Sequence, residues 1–398
     1  MNERATETIL VRISGPDQPG ITAGLMDVLG IADAQIQDIE QIIIRGRLSL
    51  SLVITVPKGK DLLKELLLFG WEYDVDVDFD VVPESSPRRH QGLIVTLIAP
   101  HVHPNEFGAV ASVISANHGN IDRIVRLAKY PVMAYELVVS GVDVEPIRSA
   151  LLTVAKDLVC DLAVHREGLG RRAARLVVLD VDSTLIADEV IELIADEVGC
   201  RDEVAAITDR AMRGELDFAA SLRERVALLA GLDAARLDAV RERVTLTPGA
   251  RTFIRTLQRL GYHTAIVSGG FTAVTDHLAA DLGIDHAHAN ELEIIDGVLT
   301  GRVLGDIVDR AAKADFVRRI AAQHGIPLDQ VVAVGDGAND LDMLSAAGLG
   351  IAFNAKPIVA ERADTSVNVP YLDAVLFVLG ISRDEIEAAD EAEGRALS

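Results

Sequence analysis

Leu176-Val177-Val178-Leu179-Asp180-Val181-Asp182-Ser183-Thr184 is the stretch on which the reading of this chain turns. Four apolar residues without polar alternation suit a strand buried on both faces, and the run stops abruptly at an Asp-x-Asp pair. Two further runs behave alike. Thr264-Ala265-Ile266-Val267 stops at Ser268-Gly269-Gly270, and Val331-Val332-Ala333-Val334 stops at Gly335-Asp336-Gly337-Ala338-Asn339-Asp340. Helical segments separate the runs, and that alternation predicts a mostly parallel sheet. Ligands of open α/β sheets bind at the carboxyl ends of strands, so the three polar endings are expected to converge on one edge.

Each ending has a chemical reading and a plain one. Two carboxylates in one small volume raise each other's pKa unless a cation intervenes, yet aspartates also make ordinary caps. Gly335 and Gly337 permit a tight turn, and the oxygen ligands of Asp336 and Asp340 favour a hard ion, with magnesium best suited to phosphate; Asp/Gly turns are also common. The Ser268 hydroxyl and the backbone amides of Gly269 and Gly270 could cradle a phosphate. Lys313 taken alone reads as a solvated helix face.

Working outward, more than eighty residues separate the first two runs. Val190, Ile191, Ile194 and Val198 have helical spacing, and Ala219-Ala220-Ser221-Leu222-Arg223-Glu224-Arg225-Val226-Ala227-Leu228-Leu229 is strong helix. A helical cap over about 188–247 is expected to roof the edge. Two polar joints, Pro83-Glu84-Ser85-Ser86-Pro87-Arg88-Arg89-His90 and Glu167-Gly168-Leu169-Gly170-Arg171-Arg172, divide the chain into modules at 1–84, 92–168 and 174–381, with an acidic tail at 382–398 expected to end as a frayed, solvated helix.

The first two modules read as copies of one unit. Ile9-Leu10-Val11-Arg12-Ile13 matches Leu93-Ile94-Val95-Thr96-Leu97; Pro16 and Gly24 precede Pro100 and Gly108 by 84 positions, and Ile36 and Ile39 precede Ile121 and Ile124 by 85. Each copy orders as strand, helix, strand, strand, helix, strand. Leu48, Leu50, Leu52 and Ile54 alternate with Ser49, Ser51 and Val53, the pattern of a half-buried antiparallel strand. The four aspartates from Asp74 to Asp80 alternate too; a calcium site is one reading, and a solvated strand edge that blocks aggregation is the preferred one.

The chain has 398 residues and a net charge of −23, which disfavours a nucleic-acid binder or a polybasic membrane anchor. With 49% hydrophobic and 25% charged residues it is expected to fold rather than stay disordered. The two cysteines, Cys160 and Cys200, fit a reducing cytosol, and no apolar run is long enough for a signal peptide or a membrane span. A cytoplasmic location is the expectation. His101, His103, His286 and His288 lack a third metal ligand nearby in sequence and read as surface histidines.

As a set, Asp-x-Asp, Ser-Gly-Gly, Lys and Gly-Asp-Gly-x-Asn-Asp resemble the haloacid-dehalogenase superfamily of aspartyl-phosphate phosphatases across about 174–381. That resemblance implies a Rossmann-like α/β core with a helical cap. Asp180 would be the nucleophile and Asp182 the acid and base. Mg2+ would be held by Asp180, Asp336 and the Asp182 carbonyl, with Asp340 and Asn339 orienting it or its waters, while Ser268, Gly269 and Lys313 offset phosphoryl charge. A finer resemblance, to phosphoserine phosphatases, rests on Glu189 and on two cap stretches, Ala211-Met212-Arg213-Gly214-Glu215-Leu216-Asp217-Phe218 and Ser221-Leu222-Arg223-Glu224-Arg225-Val226. It implies that Glu189 holds the substrate ammonium and Arg225 its carboxylate, with Met212 and Phe218 as an apolar lid. The repeated modules resemble ACT domains, ferredoxin-like α+β units that bind amino acids. Gly15-Pro16-Asp17-Gln18-Pro19-Gly20-Ile21 looks like their ligand loop, whereas Ala99-Pro100-His101-Val102-His103-Pro104 departs from it, leaving Gly108 and Asn120 as candidates. The resemblance implies serine as an effector at Asp17 and Gly20, and a homodimer. Rival readings are a phosphatase for another monoester, a phosphoserine:homoserine phosphotransferase, and an amino-acid sensor with a relic catalytic domain.

Overall fold

In the computed structural model, which describes residues 6–58, 62–83, 92–155, 158, 160–166, 173–212 and 215–394, the strands form three sheets. The chain divides into two compact units, 1–88 and 89–398. Most of both joints marked in the sequence, 84–90 and 167–172, lies outside the described residues.

The first unit runs β1 (Thr6–Pro16), α1 (Ile21–Ile31), β2 (Gln35–Ile44), β3 (Arg47–Pro57), α2 (Leu62–Glu72), β4 (Asp76–Val81), with sheet order β2-β3-β1-β4. The period-2 pattern of β3 has its predicted result. Leu48, Leu50, Leu52 and Ile54 are buried against Leu25 and Leu29 of α1 and Leu66 and Phe69 of α2. Asp74 sits in a turn at φ +54°, before the strand. Asp78 and Asp80 face Arg12 on the neighbouring β1, at 2.5 and 2.7 Å, so these acids are satisfied across the ladder by a cation of the protein itself.

The second unit opens with the same topology: β5 (Leu93–Ala99), α3 (Pro104–Ala116), β6 (Asn120–Ala128), β7 (Met133–Ser140), α4 (Val144–Ala155), β8 (Asp161–Arg166), in order β6-β7-β5-β8. A seven-stranded sheet follows, in order β12-β11-β10-β9-β13-β14-β15, from β9 (Leu176–Leu179), β10 (His263–Phe271), β11 (His286–Ile295), β12 (Val298–Leu304), β13 (Val331–Gly335), β14 (Leu349–Phe353) and β15 (Thr365–Val367). Only β11 and β12 pair antiparallel; the other neighbours are parallel. Central β9 sends Val177 and Leu179 into one core and Leu176 and Val178 into the other, which is why its sequence shows no polar alternation. Between β9 and β10 come α5 (Val190–Val198), α6 (Arg201–Met212), α7 (Phe218–Ala227), α8 (Arg236–Arg243) and α9 (Ala250–Arg259). Helices α10 (Thr272–Leu282) and α11 (Arg310–Gln323) pack beside the sheet.

Strand β8 lies along β15, so the second small sheet abuts the large one. Thr365 Oγ1 donates to the Leu162 carbonyl at 3.1 Å, and Asn368 donates its backbone N–H and its Nδ2 to the two oxygens of Asp161, each at 2.7 Å. Arg148 adds an ion pair with Asp364 at 2.9 Å. The tail departs from the frayed helix expected. Ser382 caps a helix at Arg383–Ala392, whose Asp390 is 2% exposed and accepts from Arg255 and Arg259 at 2.6 Å. Its acids meet arginines of α9, so charge that looked solvated is paired across the fold. Among the described residues no helix is long and apolar enough to cross a membrane, and Cys160 and Cys200 form no disulfide.

Candidate active site

The three polar endings lie side by side because β10, β9 and β13 are adjacent and parallel. Asp180 follows β9 directly. Its Oδ1 accepts from the Val181 N–H at 2.8 Å and from Lys313 Nζ at 2.7 Å. Lys313, in the first turns of α11, gives a second hydrogen bond to Asp340 Oδ1 at 2.7 Å. Asp180, Lys313 and Asp340 are all at most 3% exposed. Asp340 Oδ2 accepts from the Gly337 N–H at 2.9 Å, which closes the turn after β13.

Oxygens of Asp180, Asp336 and Asp340 lie within 4.8 Å of one another. Three carboxylates thus share one buried cation, and the titration reflects that imbalance. Burial and Asp340 hold Asp180 well above the carboxylate range, and Asp336 is pushed up to about 6 for the same two reasons, with Lys313 opposing both. Burial alone would lower Lys313, but Asp180 and Asp340 outweigh it and keep the ammonium charged. An oxygen-only cluster with unneutralised negative charge fits a hard divalent ion. The Asp182 carboxylate stands outside this trio, which leaves only its backbone carbonyl for the ligand role the resemblance implied.

Asp182 is instead held between the sheet and the helices above it. Its Oδ2 accepts from Ser268 Oγ at 2.7 Å, and its Oδ1 accepts from the Val190 N–H, the first residue of α5, at 2.7 Å. Ser268 Oγ in turn accepts from the Gly270 N–H at 2.7 Å. The Ser268 hydroxyl is therefore committed to Asp182 here, whereas the sequence suggested a phosphate contact. Ser183 takes a left-handed backbone at φ +55°, the sharp turn that brings two carboxylates of one strand end to different partners.

A cleft of about 510 Å³ opens over these groups, and it is lined by Asp180, Asp182 and Asp336 below and by Glu189, Phe218 and Arg225 above. Glu189 takes the Ser183 hydroxyl at 2.9 Å, and desolvation within the cleft, then Asp182, push it up to about 7. Desolvation lowers Arg225, with Glu189 and Asp182 working against it. Gly269 and Asn339 also line the cleft, and a Cβ at Gly269 would come within 2.9 Å of the Phe218 ring, so glycine gives that ring room to sit over the turn. Met212 ends α6, and its side chain lies outside the described residues.

The sequence reading missed Asn290. It is 1% exposed, donates Nδ2 to the Gly269 carbonyl at 2.8 Å and accepts the Val308 N–H at 2.8 Å, tying the Ser-Gly-Gly turn to the lead-in of α11. Its strand reads His-Ala-His-Ala-Asn, which no scan for apolar runs finds. Thr247 was missed as well; its hydroxyl donates to the Thr184 carbonyl at 2.7 Å where the chain returns from the helices. In the first unit Asp17, Gly20, Thr22 and Gln41 surround a hollow of about 310 Å³, with Gly20 at φ +100°. Gly108 instead lies inside α3, with open space where a Cβ would stand.

Comparison with known proteins agrees with this geometry. The model of haloacid dehalogenase-like hydrolases matches residues 177–345, and ACT-domain models match 7–80 and 92–165. A phosphoserine phosphatase of Streptomyces coelicolor is 57% identical over 96% of this chain and 94% of its own. The phosphoserine phosphatase SerB2 of Mycobacterium tuberculosis is 47% identical over 98% and 97%. The solved structure of a probable phosphoserine phosphatase from Vibrio cholerae superposes with a TM-score of 0.58 at 34% identity, covering 78% of this chain and 91% of that one. The chain belongs to the phosphoserine phosphatase family, with a haloacid dehalogenase-like hydrolase domain preceded by two ACT domains.

Proposed function

We propose that the chain hydrolyses O-phospho-L-serine to L-serine and inorganic phosphate through an aspartyl-phosphate at Asp180. The observation that carries this reading is the placement of Glu189 and Arg225 in the same cleft as Asp180 and Asp182. A zwitterionic monoester needs one anion for its ammonium, one fork-shaped cation for its carboxylate, and a phosphate site within reach of both. A sugar phosphate would leave Glu189 without a counter-charge.

A divalent ion at Asp180, Asp336 and Asp340 would supply charge neutralisation for the phosphoryl oxygens, and the oxygen-only donor set suits magnesium. Lys313 fixes one oxygen of Asp180, and the other attacks phosphorus while the bond to the serine oxygen breaks. Asp182 gives its proton to that departing oxygen. It then takes a proton from water as the water oxygen attacks phosphorus, which breaks the bond to Asp180 and releases phosphate. Ser268 orients Asp182 for both transfers. Phe218 excludes bulk water while the ester is intact.

Release of phosphate from a panel of monoesters tests the substrate. A strong preference for phosphoserine is expected, and equal rates across the panel would overturn the assignment while keeping the reaction class. The hollow at Asp17, Gly20 and Gln41 supports serine as an effector; kinetics unchanged by millimolar serine, once product inhibition is subtracted, would remove it. A homodimer is the assembly proposed, and sedimentation checks it. The unpaired cysteines support a reducing, cytoplasmic setting.

A further inference from the structure

Ser221 carries a buried hydroxyl that the catalytic steps leave idle. It lies on α7, the helix that also carries Phe218 and Arg225. The residue is 1% exposed, and its Oγ is buried with no hydrogen-bond partner among the described residues. A serine within a helix can turn its hydroxyl back to the carbonyl four residues earlier. Here the Asp217 carbonyl takes the Ser221 N–H at 3.0 Å, and the hydroxyl makes no bond to it. An unpaired buried hydroxyl destabilises a fold unless a partner arrives later.

The surroundings of Ser221 decide which partner fits. It lines the same cleft as Asp182, Glu189 and Arg225. Positions four apart share one face of a helix, so Ser221 and Arg225 stand one above the other. Arg225 Nε donates to the Ser221 carbonyl at 3.3 Å, which runs the arginine side chain back towards the serine. Five carboxylates line the cleft, Asp182 and Glu189 among them, against the cations Arg225 and Lys356. An arriving ammonium therefore meets acceptors in excess, while a carboxylate, with about four lone-pair positions, meets few donors. A hydroxyl beside the guanidinium supplies one more.

We propose that Ser221 is a further substrate-binding residue: its hydroxyl turns about χ1 into the cleft and donates to the carboxylate of phosphoserine, beside the Arg225 guanidinium. The turn exchanges one staggered position for another and needs no backbone movement. Because this role presupposes phosphoserine as the substrate, it narrows that reading to a carboxylate seat with two donors from one helix. The same hydroxyl lowers the stability of the empty enzyme and raises its affinity for a carboxylate.

Phosphoethanolamine is phosphoserine without the carboxylate and keeps the ammonium, so the ratio of kcat/KM for the two esters isolates that group. The full chain, assayed with Mg2+, should strongly favour phosphoserine. Ser221→Ala should lower the ratio at least about tenfold, which is about 1.4 kcal/mol. It should also hold or raise Tm, since the variant loses an unpaired polar atom and gains helix propensity. A merely structural role would move both esters alike and leave the ratio where it was. A ratio unchanged by Ser221→Ala, in an enzyme that favours phosphoserine, would overturn the role of Ser221 alone. A lowered Tm would overturn it too, by showing that the hydroxyl has a partner in the free protein. A parent enzyme indifferent to the two esters would remove the substrate reading itself, and the serine contact with it.

Discussion

The two walls of the cleft are built on opposite terms. The lower wall is a set of strand ends whose charges are buried and cross-linked, with Asp180, Lys313 and Asp340 almost without solvent. The upper wall is a helical insertion whose charged residues, Glu189 and Arg225, keep solvent access and face the cleft. Burial makes the lower charges strong and costly to disturb. The upper charges are only partly desolvated and gain strength when substrate arrives and excludes water. The difference fits a division of labour in the proposed reaction, with ester cleavage assigned to the lower wall and the choice of ester to the upper one.

Substitutions on the two walls should separate accordingly. Asp180→Asn should lower kcat by a factor on the order of 10³ or more for every monoester, measured by phosphate release, since in the proposed mechanism the carboxylate itself forms the intermediate. A loss confined to phosphoserine would break the comparison. Lys313→Met should cut kcat about 10²-fold or more and also lower Tm, because two buried carboxylates lose the cation they share, a deletion that typically costs about 3–5 kcal/mol. Arg225→Ala should raise KM for phosphoserine roughly 30-fold or more, the 2–5 kcal/mol scale of an unpaired buried charge, with little change for p-nitrophenyl phosphate. Equal effects on the two substrates would refute the carboxylate role.

The upper wall also has a pH signature. Glu189 is raised to about 7, so kcat/KM for phosphoserine should fall as pH drops through 7 and the ammonium loses its ionised partner. Glu189→Gln should flatten that limb. The stability sign is the reverse. A carboxylate raised in the folded state favours the fold below its ordinary pKa, near 4.5, and that contribution is lost as pH rises towards 7. Glu189→Gln should therefore melt slightly higher than the parent at pH 8, with the gap closing at pH 5, as read by calorimetry. The smallest kinetic effect belongs to a residue on neither wall. Asn368→Ala should leave kcat and KM unchanged and lower Tm, because Asp161 loses the Asn368 Nδ2 hydrogen bond in a buried setting.

The lower wall was legible because its signal is local. Each strand announces itself by an apolar run, and each ending by Asp, Ser or Gly within the next few residues. The parallel order of β10, β9 and β13 then brings the endings together without further information. The upper wall was legible through helical spacing and a family likeness, and the two ACT copies through their offsets of 84 and 85 residues. What escaped was long-range pairing of polar groups. Asn290 binds a carbonyl 21 residues back, Asp161 meets a side chain 207 residues on, and Asp390 meets Arg255 135 residues back. Such contacts leave no period in the chain, because either partner alone looks like surface. Ser268 is a subtler case: it stands at the same sheet edge as the acids, and its hydroxyl donates to Asp182.

The abutment of β8 on β15 has a consequence for any attempt to isolate the catalytic part. Strand β15 is the last in its sheet, and its outer flank is covered by a module that precedes it by some two hundred positions. Trimming the chain to residues 173–398 would strip that cover and leave Thr365, Asn368 and a raw sheet margin facing water. Unprotected margins of this kind recruit one another, so the trimmed enzyme would tend to clump. A fall in its performance would then report stickiness of the new edge rather than the removal of an amino-acid sensor.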